Sequence, residues 1–292
     1  MAQAAKKKLV VAGGNGFLGS RICKSAVARG WDVTSISRSG EPTWSSVTSS
    51  TEPPPWSKSV SWAKGDILKP TTYTSHLKDA DAVVHTMGIL LEADYKGVIS
   101  GKESIISGLS RAFSPTKAGS SKNPLDRKPG EGLEKGEKDR QITYELMNRD
   151  SAIALAQEAE NAGAHTFVYI SAAAGAPVLP SRYITTKREA ETTIASQMTK
   201  LRSIFVRPGF LWDNSRKFTL PIAASGMVGS TVNSLVGGSL TGIFGAAVEK
   251  PLKVDLVADA VVEAIADEDM KGVLDTKAIE ALAAKAWRKT ML

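Results

Sequence analysis

Residues 8–20 read KLVVAGGNGFLGS, and this short stretch decides the fold of the chain. The aliphatic run Lys8–Ala12 predicts a buried strand, because it is short, apolar and followed directly by glycines. Across Gly16–Arg29 the apolar side chains recur at helical spacing, and Gly30 stands where a helix stop is expected. The stretch therefore predicts a strand, a glycine-rich turn and a helix in direct succession.

The glycines of this turn satisfy two spacings that are typical of dinucleotide binding. Gly14, Gly16 and Gly19 fit G-x-G-x-x-G, while Gly13, Gly16 and Gly19 fit the longer G-x-x-G-x-x-G. Glycines tighten the turn, let backbone N–H groups approach a pyrophosphate, and let the helix pack closely on the strand. The residues expected to contact the dinucleotide are Gly13, Gly14, Asn15, Gly16, Phe17, Leu18 and Gly19.

The rest of the chain repeats the alternation of strands and helices. Further strands are predicted at Asp32–Ser37, Val60–Ala63, Ala82–Thr86, Thr166–Ser171 and Ser203–Arg207. Further helices are predicted at Thr143–Ala162, Ile184–Lys200, Leu256–Asp267 and Thr276–Arg288. This order predicts an α/β fold of the Rossmann type, a doubly wound parallel sheet with a small C-terminal substrate lobe.

Two domains and two interruptions are expected. Residues 1–212 form the nucleotide-binding core, and residues 213–292 form a substrate-side lobe from which residues 251–267 return to pack on the core. Ser39–Ser59 is rich in serine, threonine and proline and is predicted to be a long surface loop. Ser114–Arg140 has too few aliphatic residues to pack a core and is predicted to be a flexible, solvated insertion beside the site.

Residues 218–248 carry no charged side chain. Their length alone would allow a membrane span, but the glycines, serines and Pro221 among them argue against one. Two interpretations stay open: a small lobe that caps the site, or an apolar surface that touches a membrane or an apolar substrate.

Composition excludes several classes of protein. With 292 residues, 42% hydrophobic and 23% charged, and a mean hydropathy of −0.11, the chain is neither disordered nor a multi-span membrane protein. Cys23 is the single cysteine, so there is no internal disulfide, and little material exists for a zinc site. The net charge of +7 comes mostly from the N-terminal end, where Asp32 is the first acid. This placement predicts no nucleic-acid partner.

The basic, acid-poor N-terminus has the composition of a mitochondrial targeting segment. The first strand already begins at Lys8, so no removable presequence is evident. Two locations stay open: the cytosol, or mitochondria reached through an uncleaved internal signal.

The end of the second strand indicates which dinucleotide is bound. NAD sites place an acid about 20 residues after the glycines, where it accepts from the ribose 2′-OH. Ser37 and Arg38 occupy that place here, and a guanidinium suits a 2′-phosphate. NADP(H) is therefore favoured over NAD(H), with Arg38 as a plain surface charge the alternative.

Later strand ends supply further candidates for the cofactor site. Asp66 follows the third strand, where its carboxylate can accept from the adenine amino group. The fourth strand ends with Thr86, Met87 and Gly88, whose backbone is expected to approach the middle of the cofactor closely. His85 lies within that strand and is interpreted as a packed residue rather than a catalyst.

The segment YISAAAGAPVLPSRYITTKREAE (residues 169–191) carries the catalytic pattern. Tyr183 and Lys187 are four residues apart on a predicted helix and so share a face, and Ser171 ends a strand. A tyrosine is a poor acid–base at neutral pH, and a neighbouring ammonium together with an oxidised nicotinamide is expected to lower its pKa. Ser171 is expected to hold the reacting oxygen of the substrate.

Together these motifs resemble the short-chain dehydrogenase/reductase superfamily in its extended or atypical branch. GGNGFLGSRIC, SRSG, HTMGILLE, YELMNRDSAI and VRPGF are also similar to a fungal group of mitochondrial NAD-dependent epimerase/dehydratase-like proteins of coenzyme Q biosynthesis. A more distant similarity is to the NADPH-binding accessory subunit of respiratory complex I. The resemblance implies that Asn148 shapes the active site and that Pro208 and Gly209 contact the cofactor.

The resemblance also implies a setting and leaves two functions open. It implies a protein on the matrix side of the inner membrane, with a small-molecule or lipid-quinone substrate, in contact with the quinone biosynthetic complex and the membrane surface. One function is an NADP(H)-dependent oxidoreductase acting on a carbonyl or an alcohol. The other is a catalytically silent, cofactor-stabilised assembly subunit. The polar insertion departs from the family pattern, so the resemblance does not define the entrance to the substrate site.

Overall fold

The computed structural model describes residues 6–89, 123–128, 130–133, 142–175, 180–215 and 249–291. Seven strands form one parallel sheet in the order β3-β2-β1-β4-β5-β6-β9. They are β1 (Lys8–Ala12), β2 (Asp32–Ser37), β3 (Val60–Lys64), β4 (Ala82–His85), β5 (Thr166–Ile170), β6 (Arg202–Val206) and β9 (Gly272–Leu274). A small second sheet pairs β7 (Leu211–Trp212) with β8 (Leu252–Lys253).

Seven α-helices accompany these strands in the described residues. They are α1 (Phe17–Ala28), α2 (Trp44–Val47), α3 (Thr74–Leu77), α4 (Ser151–Asn161), α5 (Ser181–Gln197), α6 (Val254–Ala266) and α7 (Thr276–Thr290). Short 3₁₀ turns lie at Pro55–Ser59, Pro70–Thr72 and Pro124–Asp126, and a π-helical stretch at Glu145–Asp150 leads into α4. The prediction of a doubly wound parallel sheet flanked by helices is confirmed.

Helices cover both faces of the sheet because successive residues of a strand point to opposite sides. Leu9 and Val11 of β1 pack in the core shared with α1, α6 and α7. Val10, between them, packs in the core shared with α3, α4 and α5. A strand buried on both faces has no polar side, which explains why the KLVVA run is apolar without alternation.

Strand β9 was missed in the sequence. It has three residues, too few to show a period, and its first residue, Gly272, has the left-handed conformation (φ +81°). It pairs with β6 along the edge of the sheet. The C-terminal part of the chain thus adds a strand to the core sheet, and α6 packs against α1 in the same core.

The predicted division at residue 212 stays a prediction, because residues 216–248 lie outside the described residues. The uncharged run 218–248 lies wholly within that gap. Among the helices that are described, none has the length and the apolar character needed to cross a bilayer.

The prediction that Ser39–Ser59 is a surface loop was wrong, because part of this segment is packed. Trp44 is buried, and its ring meets Trp56 and Trp62 edge to face at centroid distances of 5.6 and 5.7 Å. Edge-to-face aromatic pairs are favourable beyond the area that they bury. The tryptophans, which the serine- and proline-rich composition obscured, make this segment a small packed layer beside β3.

The insertion also packs where it is described. Leu125 and Leu133 lie against the core on the α4 side. Apart from 123–128 and 130–133, Ser114–Arg140 lies outside the described residues, so the flexibility of the insertion stays a prediction. The Arg127 guanidinium donates to Glu158 on α4 at 2.8 Å, and the two side chains are 4% and 8% exposed. The backbone N–H of Leu133 donates to the Leu68 carbonyl at 2.7 Å. The buried Arg127–Glu158 ion pair, the two leucines and the Leu133 backbone hydrogen bond together anchor this part of the insertion to the core.

We expect Arg127→Met to lower the free energy of unfolding by about 3 kcal/mol, because it leaves the Glu158 carboxylate buried without its cation. Lys128→Met is the matched control: Lys128 is the exposed neighbour, and its loss should change stability by less than about 0.5 kcal/mol. Urea unfolding measures both. Equal effects of the two substitutions would show that the segment is not anchored through Arg127.

Candidate nucleotide-binding and catalytic site

The glycines of the turn between β1 and α1, and Gly19 in the first turn of α1, differ in the atoms that they face. A Cβ added at Gly19 would overlap the backbone of Gly13, and one added at Gly13 would lie 2.6 Å from Thr86 Oγ1. A Cβ at Gly14 would lie 2.8 Å from the Cβ of Ser35. At Gly16 the nearest described atom would be the Gly13 carbonyl oxygen at 3.1 Å. Three of the glycines are therefore required by packing within the protein, and Gly16 faces outward.

The N-terminus of α1 is built to receive an anion. Gly16 caps the helix without a side-chain hydrogen bond, and no acid lies in the first turn. The first N–H groups of a helix have no intrahelical partners and carry the positive end of the helix dipole. Leu18 is buried and Phe17 partly buried, so the backbone, not these side chains, faces the turn. The residues fit a pyrophosphate at this helix end.

The turn after β2 carries the residues predicted to choose the cofactor. Arg38 is exposed, whereas Ser37 is buried and its hydroxyl donates to the Gly40 carbonyl at 2.7 Å. Asn15 Nδ2 of the glycine turn donates to Ser39 Oγ at 2.8 Å. The structure thus brings Arg38 beside the glycine turn and gives the Ser37 hydroxyl a structural role.

The candidates at the next strand ends also meet at this edge. The carboxylate of Asp66 accepts from the backbone N–H of Leu68 at 3.1 Å and so holds its own turn. Thr86 Oγ1 donates to the Ala12 carbonyl at 2.8 Å, which ties β4 to β1. Met87 contacts the position of Gly13, since a Cβ there would lie 2.9 Å from Met87 Cγ.

His85 is confirmed as a packed strand residue. It is fully buried, and its Nε2 lies 2.9 Å from Ser151 Oγ on α4. Burial lowers the pKa of His85 to about 3, and the nearby Lys187 ammonium acts in the same direction. The imidazole is therefore neutral over the physiological range.

Tyr183 and Lys187 meet on α5, which begins at Ser181, earlier than predicted. The Lys187 ammonium lies 5.7 Å from the centre of the Tyr183 ring and donates to the Ile170 carbonyl at 3.1 Å. It is buried, and a Cβ added at Gly88 would lie 3.5 Å from its Nζ. The helix thus places both side chains at the carboxyl ends of β4 and β5.

Burial shifts the pKa values of both members of this pair. Burial raises the pKa of Tyr183 to about 12, and the cation that opposes this is Arg188 rather than Lys187. Burial lowers the pKa of Lys187 to about 8, against attraction from Glu191. Desolvation is therefore the largest effect on both pKa values.

Ser171 is held by a residue that sequence reasoning missed. Arg188 Nη1 donates to Ser171 Oγ at 2.9 Å, and Nη2 donates to the carbonyls of Ala172 and Ala173 at 2.7 and 2.9 Å. Buried Glu191 accepts from Arg188 and from Arg207. The charges in KREAE and VRPGF were visible in the sequence, but only the fold shows that Glu191 joins Arg207 to Arg188 and that Arg188 holds Ser171.

Asn148 lies buried in the π-helical stretch. Its Oδ1 accepts from the backbone N–H of Ile89 at 2.9 Å, and its carbonyl accepts from the Tyr169 hydroxyl. A Cβ added at Gly88 would lie 3.1 Å from Asn148 Oδ1. Asn148 therefore shapes the chain after β4, next to Lys187.

Pro208 and Gly209 border the site from the segment after β6. The Pro208 carbonyl accepts from the Ala173 N–H at 2.9 Å, which supports the turn after Ser171. A Cβ added at Gly209 would lie 2.9 Å from the Lys250 carbonyl oxygen. Their contact with a cofactor stays a prediction, as do the roles of the other site residues.

Residues 13–233, more than half of the chain, match the model of a protein family described as NAD(P)H-binding. The chain belongs to this NAD(P)H-binding family. MIOREX complex component 2 of Saccharomyces cerevisiae is 40% identical to this NAD(P)H-binding protein over 222 aligned residues, which cover 72% of this chain and 74% of the yeast protein. An uncharacterized chloroplastic protein of Arabidopsis thaliana is 25% identical over an alignment of 304 positions, which covers 98% of this chain and 80% of the plant protein.

Solved structures share the fold of this NAD(P)H-binding protein. UDP-glucuronic acid 4-epimerase of Bacillus cereus, in complex with NAD, matches with a TM-score of 0.54 at 15% identity, covering 92% of this chain and 76% of the epimerase. Vestitone reductase of alfalfa matches with a TM-score of 0.52 at 16% identity, with the same coverage of 92% and 76%. At such identities the likeness concerns the fold alone. It confirms the epimerase- and reductase-like fold that the sequence motifs predicted.

The lowered pKa of Lys187 predicts a pH dependence of stability. From about pH 8 to the ordinary value of 10.5 the folded protein has lost the Lys187 proton while the unfolded chain keeps it. The unfolded state then binds more protons, so stability rises with pH. Relative to Lys187→Met, the wild type should gain up to about 3 kcal/mol of unfolding free energy between pH 7 and 10.5.

Urea unfolding at several pH values measures this difference. Lys200→Met removes an exposed lysine just beyond the end of α5 and serves as the control, whose difference from the wild type should not vary with pH. A difference between wild type and Lys187→Met that is constant over the range would contradict the assignment.

Proposed function

We propose that the protein is an NADP(H)-dependent oxidoreductase that acts on a carbonyl or an alcohol. The observation that carries this proposal is the contact between the Lys187 ammonium and the Tyr183 ring. It lies at the same edge of the sheet as the glycine turn, so one bound dinucleotide can reach both. When bound, the nicotinamide cofactor supplies or accepts a hydride.

The chain's own residues supply the proton and the orientation. The Tyr183 hydroxyl gives its proton to the substrate oxygen in reduction and takes it back in oxidation. The Lys187 cation, with the positive charge of an oxidised nicotinamide, favours the phenolate that forms at Tyr183. Arg188 donates to Ser171 Oγ, which leaves the Ser171 proton free to point at the substrate oxygen.

The preference for NADP(H) rests on Arg38. We expect the protein to bind NADPH several-fold more tightly than NADH, and Arg38→Asp to reverse this order. The guanidinium pairs with a 2′-phosphate, whereas an aspartate repels it and accepts from a free 2′-OH. Calorimetric titration with both nucleotides measures the two affinities. Equal affinities in the unmutated protein would contradict the preference.

The proposed setting is the matrix side of the mitochondrial inner membrane, in quinone biosynthesis. Its support is the family resemblance of the sequence motifs, which implies a small-molecule or lipid-quinone substrate, the quinone biosynthetic complex and the membrane surface as partners. A second function is favoured by a separate observation: the yeast relative is named as a component of a complex. In that role the bound nucleotide stabilises an assembly subunit that performs no chemistry.

Two substitutions separate the enzyme from the assembly subunit. Tyr183→Phe removes one hydroxyl, so folding and cofactor affinity should change little while acid–base catalysis falls by about 10²–10⁴-fold. Gly16→Val keeps an extended backbone (φ −86°) but fills the outward side of the glycine turn, so nucleotide binding should be lost. The loss should appear as a missing thermal shift with NADPH.

If the protein is an enzyme, cells that carry only Tyr183→Phe should have a quinone content that falls toward that of cells lacking the protein. Normal quinone content with stably expressed Tyr183→Phe, together with a loss in Gly16→Val, would favour the assembly subunit. Normal content with both variants would contradict both functions.

A further inference from the structure

The turn between Ser37 and Gly40 presents two side chains to solvent. The Gly40 N–H donates to the Ser37 carbonyl at 3.3 Å, and Gly40 takes the left-handed conformation (φ +76°) that closes the turn. Arg38 and Ser39 therefore occupy its exposed corner. Because Asn15 binds Ser39, this corner is tied to the glycine turn that faces the pyrophosphate.

A lysine from the neighbouring strand lies against this turn. Lys64 is the last residue of β3 and stands opposite Ser37 in the parallel register. A Cβ added at Gly40 would lie 3.3 Å from Lys64 Cγ and 3.7 Å from its Cε, so the aliphatic stem packs along the turn. The residue is exposed, so its ammonium group reaches solvent at the turn that carries Arg38 and Ser39.

The two cations are available for a ligand. No ion pair joins Arg38 or Lys64 to an acid within the residues that the structure describes. The nearest acids along the chain are engaged elsewhere: Glu41 accepts from Trp44 Nε1 at 3.0 Å, and Asp66 accepts from the Leu68 N–H. Neither of these two acids forms an ion pair with Arg38 or Lys64 in the described part of the chain.

We propose that Lys64 and Arg38 together bind the 2′-phosphate of NADP(H), with Lys64 as a second specificity-determining residue. This inference rests on the proposed NADP(H) function and adds a residue to it. A phosphate monoester carries close to two negative charges at neutral pH, so one guanidinium leaves part of the charge without a partner. Arg38 offers a planar fork and Lys64 a compact point charge from the other side of the turn.

The strand also holds Lys64 in place before a ligand arrives. Trp62, two residues earlier on the same face of β3, packs against Trp44 and Trp56. The segment that follows Arg38 thus packs against β3, the strand that carries Lys64. A cation that is already positioned costs less ordering entropy when it binds.

The test compares the dissociation constants of NADPH and NADH for wild type, Lys64→Ala and Lys58→Ala. A hydrogen bond to a charged group corresponds to about tenfold or more in affinity, so Lys64→Ala should weaken NADPH by about that factor. NADH, which lacks the 2′-phosphate, should bind within twofold of wild type. Lys58→Ala removes the same charge from an exposed site before β3, on the order of 15 Å from Lys64, and should change neither affinity.

The outcomes separate this inference from the proposed function. If wild type prefers NADPH but Lys64→Ala leaves that preference intact, Lys64 does not bind the phosphate, while the NADP(H) function stands. If Lys64→Ala weakens both nucleotides equally, its role is structural, and the inference is overturned. If wild type binds both nucleotides equally or binds neither, the NADP(H) function and this inference fail together.

Discussion

The close approach of α1 to the end of β1 is the constraint on which the rest of the structure depends. The backbone of Gly19 packs so tightly on Gly13 that no side chain fits between them. This contact aims the N-terminus of α1 at the edge of the sheet where β2, β3, β4 and β5 also end. Because parallel strands all end at this edge, residues far apart in the chain meet there. Arg38, Thr86 and Ser171 are brought into one region in this way.

The catalytic side of the site depends on buried charge. Lys187 is buried beside Tyr183, and burial acts on both groups by disfavouring their charged forms. One carboxylate, Glu191, lies behind the site and binds both Arg188 and Arg207. It holds the guanidinium that fixes Ser171 and the turn after β5. The site therefore combines a lysine whose charged form is disfavoured by burial with a serine whose hydroxyl is held by an arginine.

The cofactor side is organised by packing that the composition conceals. The segment after β2 is rich in serine and proline, yet three tryptophans fold it against β3. The insertion after residue 114 is polar, yet Arg127 binds Glu158 in the interior. In both segments a few large or charged side chains, not the average composition, decide whether the chain packs. Each lies next to a turn that carries a candidate cofactor residue, Arg38 in one case and Asp66 in the other.

The sequence by itself determined the strand–glycine–helix unit, the parallel sheet and the candidates Tyr183, Lys187 and Ser171. These features are local: the glycine spacing, the apolar runs and the four-residue helical spacing lie within single elements. Tertiary structure alone decided that β9 joins β6, that Arg188 holds Ser171, that burial raises the pKa of Tyr183, and that Lys64 packs against the turn that carries Arg38. Each of these depends on side chains or strands that are distant in the chain, and on desolvation that arises only when the sheet and its helices close around them.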